Sequence, residues 1–247
     1  MSDNLWALLW KEFRQLPRKR GAMLSATLFP LIFLVIVPLI NMLALRDASG
    51  ANAPVGVNLP PGVGAMSRDP RAMLSGFLLP FMVMTSGLML PSLLATYTII
   101  AERERRTLEL LVALPVSVKD IILAKLTAVL AVGLSVCLPL LVMDSAAMIA
   151  FGFGDVGDAL LLLWLLLAAL AYSTASALLI GLLAKDFRTA NNITGALVGP
   201  LILVAMGIMM YLPAVVAPLL RGALLWLAAV AAAVASLRYF TFERLLS

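Results

Sequence analysis

The chain contains no histidine and a single cysteine, Cys137, set within an apolar run. These absences exclude a disulfide framework, nearly all Cys/His metal sites and any catalysis that depends on imidazole. Charge is scarce as well: 13% of the 247 residues are charged, against 63% hydrophobic. A soluble domain carries about 25% charged residues, so this chain has too little charge to cover a water-facing surface. Period-2 alternation is also missing, which argues against a membrane β-barrel. What remains is an all-α integral membrane protein. The formal charge of +5 does not then point to nucleic acid; the position of the basic residues matters more than their sum.

Six apolar runs are long enough, or nearly so, to cross a hydrocarbon core that needs roughly 20 residues. They cover residues 22–45, 72–101, 126–151, 159–184, 189–212 and 222–237, and the last is short and Ala-rich. The whole chain, 1–247, reads as one transmembrane domain. The second run exceeds one crossing, so it tilts or continues into the cytosol. Ahead of the first run, Leu5, Trp6, Leu9, Phe13 and Leu16 fall near one helical face, away from Lys11, Glu12 and Arg14. That pattern predicts an interfacial helix over residues 4–16. The first run is too long for a signal-peptide core of about 7–15 residues, so it is expected to stay attached.

Basic residues set the orientation. One side carries Lys11, Arg14, Arg18, Lys19 and Arg20, then Arg103, Arg105, Arg106, Lys119 and Lys125, then Lys185, Arg188, Arg238 and Arg244. The other side carries only Arg46, Arg68, Arg71 and Arg221. The positive-inside rule therefore places both termini in the cytoplasm, in a multi-pass protein of the cell (inner) membrane.

Between spans two and three stands a charged island, Glu102-Arg103-Glu104-Arg105-Arg106-Thr107-Leu108-Glu109. So many charges cannot sit in hydrocarbon. Glu102 with Arg106, and Arg105 with Glu109, have the four-residue spacing that pairs across a helical turn. Leu108, Leu110, Leu111 and Leu114 make the continuation amphipathic until Pro115 breaks it. Ser117, with Asp120 three residues on, suits the start of the next helix. The segment 102–120 reads as a cytosolic hairpin. A plain connecting loop would not need leucines facing water, so a protein partner is the better reading.

The string Ala101-Glu102-Arg103-Glu104-Arg105-Arg106-Thr107-Leu108-Glu109-Leu110-Leu111, followed by Leu114-Pro115-Val116-Ser117 and Lys125, resembles the signature of bacterial ABC exporter permeases of the six-span type 2 class. The loop from Ala184 to Asn191 and the basic-aromatic tail from Ser236 to Leu246 are similar to that family's, though each is weak alone. The resemblance implies that 102–115 is a coupling helix seated in a cleft of a cytosolic ABC ATPase. Glu102, Arg103, Glu104, Thr107, Leu108, Glu109, Leu111 and Pro115 would carry that contact. Arg106 departs from the Gly of many relatives. Little sequence separates spans five and six, where some members have re-entrant outer helices, and Pro213 and Pro218 allow a break there. No G-x-x-x-x-G-K-[ST] phosphate loop occurs in the chain, so ATP and magnesium are expected on a separate ATPase and no cofactor on this chain. Six spans are half of the family's translocation unit, so a second copy or a sister permease is expected as partner, within membrane lipid.

Three further features concern a path or seam. Asp144 is the one carboxylate well inside an apolar run, about 10 Å from its end at 1.5 Å per residue. It reads either as a functional acid or as one that sits protonated, or bonded to a polar partner, near the outer interface. Gly195 and Gly199 in span five form a small-x-x-x-small motif that allows close helix approach, within the subunit or at a dimer seam, with Asn191 one turn earlier. Pro30 and Pro38 would bend span one along a path. The resemblance favours the seam for the glycines, because spans one and five meet the partner in that family. Gly152-Phe153-Gly154-Asp155 matches a string of intramembrane aspartyl proteases, but that chemistry needs a second carboxylate, so the string reads as a turn. The leading function is an exporter subunit. A six-span scaffold that anchors an ATPase without moving a solute is the alternative, and an intramembrane hydrolase ranks below both.

Overall fold

The structure, a computed structural model, describes residues 10, 20–48, 70–104, 118–184, 186–212 and 216–239. The described residues hold six helical spans long and apolar enough to cross a membrane, and no strand. The protein is all-α, as its composition requires. Span one runs through Arg20–Leu31, a π-helical stretch Ile32–Ile36 and Val37–Ala48. Span two has the same build: Pro70–Met73, a π stretch Leu74–Leu78, then Leu79–Glu104. Spans three to six are Val118–Ala150, Val156–Leu183, Phe187–Tyr211 and Val216–Tyr239. Of the expected interfacial helix only Trp10 is described, helical and exposed. The remainder of 4–16 lies outside the described residues.

Both π stretches have one chemical cause. Val37 donates its N–H to Ile32 O, five residues back, immediately before Pro38. Leu79 does the same to Leu74 O, immediately before Pro80. A proline lacks the N–H for the next bond, and its ring collides with the carbonyl four residues earlier. Widening the turn ahead of it moves that carbonyl away and keeps the other backbone groups bonded, as hydrocarbon demands.

Spans two and four form the centre: 67% and 72% of their apolar windows are buried, against 22% for span one and 18% for span five. Small residues let the central pair meet. A Cβ on Gly87 would stand 2.7 Å from that of Ala169. One turn further on, the Ser92 and Ser173 hydroxyls lie 2.8 Å apart and both within reach of Leu88 O, so their two protons are shared over the three oxygens. In lipid such small-residue contacts and interhelical hydrogen bonds replace the hydrophobic drive that holds soluble helices together. Span six packs on span four where Gly222 meets Trp164, with Trp226 beside it at 6.1 Å between ring centroids.

Short turns fix the sequence of crossings. Gly152 takes the left-handed conformation, φ 73°. Asp155 then caps span four, accepting the Asp158 N–H at 2.9 Å while its own N–H reaches the Asp158 carboxylate at 3.1 Å. The Gly-x-Gly-Asp string is therefore a turn followed by a capping box. At the opposite end Asp186 caps span five, accepting from the Thr189 N–H at 2.7 Å. The last span differs from the apolar run that foretold it. It starts at Val216 rather than 222, because Pro218 occupies its first turn, where a missing N–H does no harm. Only residues 212–215 then separate spans five and six, too few for a pair of re-entrant helices.

Candidate transport path and partner surfaces

The charged island continues span two as a helix through Glu102, Arg103 and Glu104. Span three begins at Val118, directly after Ser117, the residue suited to start it. Thr107, Leu108, Glu109, Leu111 and Pro115 lie outside the described residues. Lys125, counted among the loop bases, is instead buried within the third turn of span three. Arg221, assigned to the opposite loop, is likewise buried, in the second turn of span six. One base leaves each side of the count, so the basic residues still favour the same side.

Span five carries the most open surface among the six. Gly195 and Gly199 are exposed, and a Cβ built on either would find no atom of the described residues within 4 Å. Leu203 continues that surface at 69% exposure. Among the described residues, then, none packs against these two glycines. Asn191 sits one turn before Gly195 on the same helix. Span one offers a second apolar surface through Leu28, Ile36, Ile40 and Leu43. Pro30 and Pro38 do not belong to it. Both are buried within the chain, where they shape the helix around its π stretch instead of facing an opening.

The buried polar groups divide into satisfied and unsatisfied ones. Thr85, Thr174 and Ser236 bond back to carbonyls one turn earlier. Asp144 is 3% exposed, in the inward stripe of span three between Leu141 and Met148, and its Oδ2 has no hydrogen-bond partner among the described residues. Arg221, at 1% exposure, donates from Nε to Ala217 O at 2.9 Å, but both terminal nitrogens lack partners among the described residues. The two opposite charges do not pair with each other. A charge of this kind inside an apolar bundle costs several kcal/mol unless something satisfies it. Reading the sequence missed Arg221 because Pro213, Pro218 and Arg221 together look like a turn. The tolerance of a first helical turn for proline was the available signal.

Asp186 is fully exposed at the span-five cap. The Thr189 N–H, then the Thr189 hydroxyl, hold its carboxyl below the usual carboxylate range. Among the described residues no group of three His, Cys, Asp or Glu side chains could hold a metal ion.

Six helices long and apolar enough to cross a membrane, the central pair buried and the flanking spans open, make a multi-pass membrane bundle. The family model described as ABC-2 family transporter protein matches residues 39–239. The chain belongs to that family and is a permease subunit of an ABC transporter. Neither a curated protein nor a solved structure matches it.

Proposed function

We propose that this permease is the membrane half of an ATP-driven exporter in the cell membrane. Two permeases meet along span five, and the hairpin 102–120 docks on a separate cytosolic ATPase that holds ATP and magnesium. The observation that carries this reading is the open glycine face of span five, Gly195 and Gly199, which none of the described residues fills. Small residues that face outward in a membrane span permit the close backbone approach of another helix. The family supports an ATPase partner, and the helix that extends span two through Glu104 leads the chain toward it. The missing phosphate loop puts nucleotide chemistry on that partner. Glu102, Arg103 and Glu104 would orient the docking helix, and Leu108 and Leu111 would fill a cleft.

The test is co-expression with an ABC ATPase encoded beside this chain, followed by affinity purification through a tag on the permease. The expected result is a complex that hydrolyses ATP, while the permease alone does not. Stimulation of that turnover by a solute separates transport from simple anchoring. Magnesium-dependent ATP hydrolysis by the clean permease would overturn the assignment.

A further inference from the structure

The guanidinium of Arg221 is buried without a counter-charge among the described residues, and its surroundings indicate what completes it. Its Nε bond to Ala217 O, one turn back, directs the side chain toward the start of span six. Val216 opens that helix, so Ala217 stands at the end of the bundle, near the level of headgroups. Arg221 lines a cavity between spans two, five and six whose other walls include Met84, Leu201, Ala205, Ile208 and Leu224. The cavity measures about 20 Å³, room for about one water. One water accepts two hydrogen bonds, whereas the two nitrogens without a partner among the described residues present four N–H groups. Anionic oxygens in the plane of the guanidinium would satisfy them in pairs.

The walls state what kind of anion reaches it. Apart from Arg221 they are apolar, and the lining runs outward onto exposed Val204 and Leu224. The space is far too small to enclose a whole ligand, for which about 300 Å³ or more is usual. An occupant must therefore keep its bulk at the mouth, bring only its anionic oxygens toward the guanidinium and lay an apolar tail along spans five and six. The crevice also avoids the glycine face. At 3.6 residues per turn, Val204 lies about 140° around span five from Gly199. A second copy packed on the glycines leaves the crevice to the bilayer.

We propose that Arg221 binds the phosphate of a membrane phospholipid, whose acyl chain lies in the crevice between spans five and six. The lipid neutralises the buried charge and joins span five, the least buried span, to span six. This inference rests on helix packing alone and stands whether or not two permeases pair along span five.

The experiment uses the full chain, purified in detergent, stripped of lipid and titrated with phosphatidylglycerol. Thermal midpoint and native mass spectrometry supply the readouts. Wild type is expected to retain the lipid and to gain stability from it. Diacylglycerol, which lacks the phosphate, and inorganic phosphate, which lacks the tail, are expected to do neither. Arg221→Gln should weaken binding by about tenfold or more, the scale of losing one charge-assisted pair. Val204→Trp keeps the charge but fills the crevice, and it should displace the lipid equally. Lipid binding by both variants at wild-type strength overturns the proposal. An equal response to inorganic phosphate shows a free-anion site and also overturns it. Arg221→Gln that changes the oligomeric state at unchanged lipid retention assigns the guanidinium to a second protein chain, again against the proposal.

Discussion

Gly222 of span six lies directly against the indole of Trp164 in span four: a Cβ at Gly222 would collide with Trp164 Nε1. No methyl group fits there, so the glycine sets how closely spans four and six approach. Gly222→Ala gains helix propensity of about 1 kcal/mol, but overpacking costs about 1–3 kcal/mol and should prevail. The thermal midpoint in detergent is expected to fall. In a Trp164→Ala background the same substitution should cost little. An equal fall in both backgrounds would mean that the contact is not the cause.

Two glycines of the same type are expected to behave oppositely. Gly87→Val drives a side chain into Ala169, only 2.7 Å from where its Cβ would stand, and should lower the thermal midpoint of the chain. A Cβ at Gly199 meets none of the described residues, and Gly199→Ile extends outward from there. It should leave that midpoint within experimental error, yet weaken pairing of permeases about tenfold or more. Cross-linking at graded expression levels reads the pairing. Undiminished pairing in Gly199→Ile would remove span five from the seam.

If the hairpin after span two couples to an ATPase, Glu102→Lys and Leu108→Asp should uncouple transport without harming insertion. A carboxylate pressed into an apolar cleft loses the contact or costs several kcal/mol, and a few kcal/mol lowers association a hundredfold or more. ATPase pull-down and export are compared at matched membrane levels. Normal binding and export by both variants would leave the hairpin a connecting loop.

Topology is open to direct labelling. In a Cys137→Ala background, Ser117→Cys should be reached only from the cytoplasm and Val156→Cys only from outside. Val156 is exposed and leaves the Asp155 cap intact. An impermeant reagent that labels both from outside would refute the orientation.

The Asp186 cap carries a pH signature. Its carboxyl is held below the ordinary range in the folded chain by the Thr189 N–H and hydroxyl. A depressed folded value means that the stabilising contribution is complete above the unfolded value and disappears as pH falls through the folded one. Unfolding followed downward from neutral pH should therefore lose a small contribution below about pH 4. Asp186→Ala should lack that loss, and identical pH profiles would rule the cap out as its source.

The class of protein and its six crossings were legible in the residues alone, for a local reason. Whether a segment enters a bilayer depends on its own length and apolarity, and its direction on the bases flanking it. The turn at Gly152 to Asp155 was equally readable, whereas the box that Asp155 forms with Asp158 emerged only in the structure. Facing was not readable. In lipid both sides of a helix are apolar, so no amphipathic stripe marks the packed side, and only neighbouring helices decide it. That is why packing alone turned Gly195 and Gly199 outward, drew Pro30 and Pro38 inward, and left Asp144 and Arg221 buried on different helices without each other. Arg221 is the clearest case. Its sequence neighbourhood has the composition of a turn, yet the packing of spans two, five and six encloses it as a charge within the bundle.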